Sequence, residues 1–210
     1  MRKLLPALFA LALLAGPAAG SAQVSLGLRL GYGPALGDAA KDSKMSDGVK
    51  SQIPIQLDAT YKLTPNFSLG GYTSYGFGQT GEVFDAICDQ ADCSARIVRL
   101  GVQGIYSFDQ IGQLKPFAGV GAGYEWGSLT AEAGGQEVTV SFRGFELLNV
   151  TAGADYVVGP QFAIGPYIGL SVARYSDTSV DDGTEELSGE IDQKAMHEWL
   201  QFGIRGRFDL

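Results

Sequence analysis

From Val24 onward the chain alternates between bulky apolar and small or polar side chains. Val24, Leu26, Leu28, Leu30 and Tyr32 fall on one face, and Ser25, Gly27, Arg29, Gly31 and Gly33 on the other. Successive side chains of extended backbone leave opposite sides of a sheet, so a period of two predicts a strand with unlike faces. The pattern returns in Ile53, Ile55, Leu57, Ala59, Tyr61 and Leu63, which oppose Pro54, Gln56, Asp58, Thr60 and Lys62. It returns again in Phe67 to Phe77, in Val98 to Phe108 and in Leu114 to Trp126, where Phe117 breaks the rule by falling on the polar face. Leu148 to Val158, Phe162 to Val172 and Leu200 to Leu210 complete the series. These runs predict eight strands of about ten residues or slightly more, the length that crosses a bilayer at a tilt.

The connections set the topology. Residues 64–66, 109–113 and 159–161 are short turns, whereas 36–51, 79–94 and 176–194 are long and polar. A hairpin-like stretch around Gly134 and Gly135 stands in the third long position. Long and short therefore alternate, which puts the short turns and both termini at one end of an antiparallel barrel and the long loops at the other. In a membrane barrel of this layout both termini are expected on the periplasmic side.

The two faces differ in a way that decides the solvent. The apolar set is too bulky and uniform to fit inside eight strands, whose interior is only wide enough for side chains. The opposite set is glycine, serine, alanine and threonine, with Arg29, Asp58, Arg99, Gln103, Glu125, Asp155 and Arg205 among them. Carboxylates and guanidiniums suit a narrow, filled lumen in which they neutralise each other. The expected fold is thus all-β: an eight-stranded antiparallel up-and-down transmembrane β-barrel with a polar filled interior and its leucines in hydrocarbon. Tyr32, Tyr61, Tyr75, Phe77, Tyr106, Phe108, Tyr124, Trp126, Tyr156 and Phe162 cluster near strand ends, as interfacial girdles do.

The start of the chain agrees with export. Arg2 and Lys3 precede the apolar run from Leu4 to Leu14, and Gly20 and Ala22 mark a cleavage site before Gln23. That run is well short of the roughly 20 residues a spanning helix needs, so residues 1–22 read as a cleaved signal peptide and 23–210 as the barrel domain. The formal charge of −8 comes from 15 basic and 23 acidic residues. Such an excess of negative charge repels nucleic acid. Cys88 and Cys93, the only cysteines, stand close together in a polar stretch and are expected to form a loop disulfide in an oxidising compartment.

Taken together the mature pattern resembles the small outer-membrane barrel families typified by the OmpA transmembrane domain, OmpX and OmpW. The resemblance rests on strand pattern across the whole mature chain. Its most specific part is the last strand, where Phe202, Ile204, Phe208 and Leu210 look like the C-terminal signal read by the barrel assembly machinery. The family usually ends on an aromatic residue, whereas here Phe208 stands two before the final Leu210. The resemblance implies a monomer in the outer membrane of a Gram-negative bacterium, with lipid, lipopolysaccharide and the assembly machinery as partners.

Little in the chain points to catalysis. His197 is the lone histidine and would need Ser171, Ser176 and Asp177 to converge on it to resemble a lipid A-modifying enzyme. An interfacial histidine without a catalytic role is the expectation. The acidic segment from Asp177 to Asp192 begins like a calcium loop, but Gly183 comes one position late and Ser188 occupies the place of the bidentate glutamate. A solvated, mobile loop is expected there, with no bound metal. Gly119, Gly121 and Gly123 lie mid-strand with no helix to follow, so no dinucleotide or other cofactor is expected. The leading functional expectation is a structural or surface-interaction barrel without a large pore. The alternatives are an OmpW-like conduit for small hydrophobic molecules, which the luminal charges oppose, and the lipid A-modifying enzyme.

Overall fold

A computed structural model describes residues 23–89 and 91–210, so the expected leader lies outside the described residues. In chain order the elements are β1 (Val24–Ala40), β2 (Ser43–Lys44), the helical turn α1 (Met45–Gly48), β3 (Val49–Lys62), β4 (Phe67–Thr80) and helix α2 (Glu82–Cys88). They continue with β5 (Asp92–Ser107), β6 (Leu114–Ala133), β7 (Gln136–Val157), β8 (Phe162–Asp181), β9 (Glu186–Glu190) and β10 (His197–Asp209). All pairings are antiparallel, and β10 bonds to both β8 and β1, so β1, β3, β4, β5, β6, β7, β8 and β10 close an eight-stranded ring. Closure pairs the backbone groups that an open edge would leave bare in lipid.

Register carries the sequence period around the ring. Leu28 lies opposite Leu57, Leu57 opposite Thr73, Thr73 opposite Leu100, and Leu100 opposite Tyr124. A slip of one residue in any pair would send an apolar row inward. Leu28 and Leu57 are 51% and 56% exposed, while their neighbours Arg29 and Asp58 are 1% and 4% exposed. The greasy face is outside and the charged face is inside.

Phe117, the exception to the pattern, is buried in the lumen. Its ring centre lies 4.2 Å from the Arg205 guanidinium carbon, a cation–π contact inside the wall. Luminal glycines make room for such rings. A Cβ on Gly123 would stand 3.0 Å from the Tyr72 hydroxyl, and one on Gly31 would stand 2.7 Å from that of Tyr167. The glycine run that superficially resembles a nucleotide loop is therefore a packing device.

The eight strands of the ring are longer than expected, from 13 to 22 residues. The third long connection is instead a two-residue turn, Gly134 and Gly135, both at positive φ (60° and 81°), between the extended β6 and β7. Two successive left-handed residues match the twist of a hairpin. Alternation fails to reveal these extensions because outside hydrocarbon both faces are wet; Thr130 and Thr139 bond across the pair at 2.9 Å with no apolar period needed. The acidic segment likewise departs from expectation. It holds a hairpin in which β8 pairs with β9, turned by Asp182, whose carboxylate accepts from the Thr184 and Glu185 amides at 2.9 Å each and from the Thr184 hydroxyl. These donors push the Asp182 pKa down to about 2. Residues 36–51 are also more ordered than their polarity suggests: β1 continues to Ala40, and α1 drops Met45 into the barrel mouth. Cys88 and Cys93 form the expected disulfide.

Replacing Leu28 by arginine should lower the unfolding free energy in vesicles by about 2–4 kcal/mol, the cost of a lipid-facing charge near mid-bilayer. Leu28→Phe should leave the urea midpoint nearly unchanged, and equal effects of the two substitutions would contradict the assigned faces.

Candidate functional site

Buried chemistry-bearing side chains converge in the lumen, which is layered along the barrel axis. Nearest the short turns, Asp155 on β7 faces Arg205 at 3.6 Å and Arg207 at 3.1 Å, both on β10. Arg207 also reaches Asp209 at 3.2 Å, which accepts from the Ser25 hydroxyl at 2.6 Å. In the next layer Arg29 donates to Asp58 at 2.8 Å and to Gln103 at 3.0 Å. The amides of Gln56 and Gln103 both donate to the other Asp58 oxygen at 2.8 Å. Arg29 and Arg205 are direct cross-strand partners. Like charges placed so are tolerated only because each has its own carboxylate.

The third layer is centred on Arg99. Glu146 lies 3.6 Å from its guanidinium and Glu125 4.0 Å, with all three side chains fully buried. With its amide turned, the Gln201 oxygen accepts from Arg99 at 2.9 Å. Glu146 further accepts from the Tyr72 hydroxyl, from Asn149 at 2.8 Å and from Ser171 at 2.6 Å. Glu125 accepts from the Tyr175 hydroxyl at 2.7 Å and the Trp199 indole at 3.1 Å, and meets His197 Nε2 at 2.8 Å.

Arg29, Asp58, Arg99, Gln103, Glu125, Asp155 and Arg205 therefore all stand in the lumen. His197 does not lie at the interface as expected. It is fully buried, stacked on Tyr175 at 4.2 Å between ring centres, because its parity on β10 is that of Trp199 and Gln201 rather than that of the lipid-facing Phe202. Ser171 donates to Glu146 instead, and Ser176 bonds Asp177, which faces Arg143. His197 and Ser171 thus serve the two glutamates beside Arg99, while Ser176 and Asp177 bond each other, and the four do not converge. Among the described residues no His, Cys, Asp and Glu side chains group so as to hold a metal ion.

Glu146 escapes the sequence pattern altogether. Its even number puts it in phase with outward Leu148, but a register shift between Glu146 and Leu148 turns it inward. A bulge inserts one extra residue and reverses the parity beyond it. Tyr72, Tyr167 and Trp199, by contrast, alternate with the outward residues of their strands and are buried in the lumen as that parity requires.

Above the Arg99 layer the lumen changes character. Met45, Val49, Ile97, Leu129, Tyr175 and Trp199 form a buried apolar cluster, against which Phe84, Phe142 and Ile191 pack. Most of them bound a cavity of about 320 Å³ beneath α1 and α2. The interior is thus polar, as expected, in the lower layers, and apolar at the loop end. Phe202, Ile204, Phe208 and Leu210 stand on the exposed outer face, with Phe208 paired to Leu26 at the β1–β10 closure.

Residues 5–195 match the family described as outer membrane protein beta-barrel domain. The chain belongs to this family. Membership places the barrel in the outer membrane of the Gram-negative envelope. Among solved structures it is similar to Neisserial surface protein A, at 13% identity and a TM-score of 0.53 over 91% of this chain and 99% of that one. It is also similar to a major outer membrane protein from Thermus thermophilus, at 16% identity and a TM-score of 0.52 over 88% and 99% of the two chains. At such identities the likeness concerns the fold alone. No curated protein sequence matches the chain.

Removing one partner of a buried pair strands the other without water. Arg29→Ala should therefore cost the barrel about 3–5 kcal/mol, read by urea unfolding in vesicles. Arg29→Met combined with Asp58→Leu should recover most of that loss, and a double variant as unstable as the single one would show that the pair is not the unit of stability.

Proposed function

We propose that the protein is a sealed integral barrel with a structural and surface-interaction role, its loop end turned outward and its termini toward the periplasm. One observation carries this reading: three successive layers of paired charges and hydrogen-bonded amides fill the cross-section from Asp155 to Arg99. Opening an aqueous path would require water to replace buried ion pairs that the narrow ring holds at contact distance. The elements free to meet other molecules are those at the loop end: α1, α2 with its disulfide, the long β6–β7 hairpin and the β8–β9 hairpin. The barrel works as a monomer, delivered to the membrane through recognition of the outward Phe202, Ile204, Phe208 and Leu210 by the assembly machinery.

Purified barrel in a planar bilayer should give no stepwise currents in the large-porin range. Such currents from the wild-type protein would end the sealed-barrel reading.

The apolar chamber favours a second reading, the capture of small hydrophobic molecules at the cell surface as the first step of a conduit. A cavity of about 320 Å³ walled by Ile97, Leu129, Phe142 and Tyr175 has the size and lining of a small-ligand pocket. The paired charges below it block straight passage, so a conduit would have to leave through the wall or by movement of the Arg99 layer. The fluorescent apolar probe N-phenylnaphthylamine should bind the detergent-solubilised barrel and accept energy from Trp199, which belongs to the same apolar cluster. Leu129→Arg should abolish this binding and Leu187→Arg, on exposed β9, should not; unchanged binding in Leu129→Arg would sink the capture reading.

A further inference from the structure

The outer wall carries a second cleft, distinct from the lumen. It measures about 680 Å³ and lies across β5, β6, β7, β8 and β9, lined by Arg96, Trp126, Ser128, Ser141, Arg143 and Ser179 among others. Pairing places these residues in rows. Arg96 lies opposite Ser128, Ser128 opposite Ser141, Ser141 opposite Ser179, and Ser179 opposite Ser188. The row next to it, toward the short turns, runs Val98, Trp126, Arg143, Asp177, and the one after that Leu100, Tyr124, Phe145, Arg174. Tyr124 packs against Trp126 at 4.7 Å and against Phe145 at 5.1 Å, forming an aromatic platform on the lipid face.

The height of this cleft is what gives it meaning. Tryptophan and tyrosine settle at the boundary between acyl chains and headgroups, so the arginines and serines at and just beyond the platform stand at headgroup level. On a chain whose formal charge is −8, three arginines gathered on one outer patch are a local reversal of sign. Among the described residues Arg143 is paired only with Asp177, at 3.6 Å, with the two side chains 57% and 32% exposed. A pair so open contributes little and leaves guanidinium donors free. Arg96 and Arg174 have no carboxylate within 4.0 Å among the described residues. Guanidinium groups bind phosphate by paired parallel N–H donors, and serine hydroxyls add further ones.

We propose that this cleft binds the phosphorylated sugar headgroup of an outer-leaflet lipopolysaccharide. The phosphate sits between Arg96 and Arg143 over Ser128 and Ser141, and the acyl chains lie along Trp126, Tyr124 and Phe145. A free phosphate would use the arginines but not the platform. Glu186 and Asp177 lie on the β8–β9 side of the cleft, which steers the anion toward Arg96. The site rests on the membrane position of the outer face and is independent of whether the lumen conducts or captures ligands.

The test uses the mature barrel reconstituted in phosphatidylcholine vesicles carrying either doubly phosphorylated lipid A or its dephosphorylated counterpart, with co-purifying lipid counted by native mass spectrometry. The wild type should retain phosphorylated lipid A roughly tenfold better than Arg96→Gln with Arg143→Gln, the loss of two charge-assisted anchors. The Lys double variant, which keeps charge but not the fork, should lie between them, and Asp177→Asn should raise retention about twofold by freeing Arg143. All the substituted side chains are on the outer wall, so a heat-modifiable folded band is expected throughout. Equal retention of the dephosphorylated lipid, no loss in the Gln double variant, or displacement by inorganic phosphate at matched concentration would each overturn the proposal.

Discussion

The structure is governed by the cost of leaving a peptide group without a hydrogen bond in hydrocarbon. That cost forces the strands into a closed ring, and a ring of eight is barely wide enough for its own side chains. The paired charges and amides of the spanning region are thereby sent into a narrow, nearly dry column. Charge can exist in that column only beside its opposite, so the closing of the backbone and the pairing of Arg29 with Asp58, Arg99 with Glu146 and Glu125, and Arg205 with Asp155 are consequences of one constraint.

Size works alongside charge. The column must be filled as well as neutralised, because water cannot be admitted in quantity and voids are costly. Phe117, Tyr72 and Tyr167 fill it from the wall inward, and glycines on the facing strands yield the space their rings require. The high glycine content thus reflects the diameter of the ring and not flexibility. Aromatic rings also take part in the electrostatics: Phe117 lies beneath Arg205, and Tyr72 and Tyr175 donate to the two glutamates that flank Arg99.

Where the bilayer ends, its demands lapse and other forces take over. Strands β6, β7 and β8 run on as hairpins held by backbone pairing and turn chemistry, and the lumen, now out of reach of lipid on its outer side, becomes apolar around Met45, Leu129 and Tyr175. The candidate sites lie at this transition: an apolar chamber within and an arginine-lined cleft without. Neither is required for the ring to close. Both lie where the chain is free to vary without breaching the membrane, which is where a barrel of a common fold acquires a particular role.

The number of membrane strands, their order, the lipid-facing side and the luminal position of Arg29, Asp58, Arg99, Gln103, Glu125, Asp155 and Arg205 were legible in the linear pattern. A strand between unlike solvents writes its orientation into every second residue. The extensions of β6 and β7 were not legible, since wet strands have no such contrast. Glu146 was hidden by a bulge that reverses parity, and the burial of His197 by the short polar lead-in to β10. The apolar chamber unites residues from α1, β3, β5, β6, β8 and β10 that have no common period, and the arginine cleft depends on register across five strands. Periodicity records which way a side chain points from its own strand, but which distant side chains it meets is decided only when the ring closes and fixes the register.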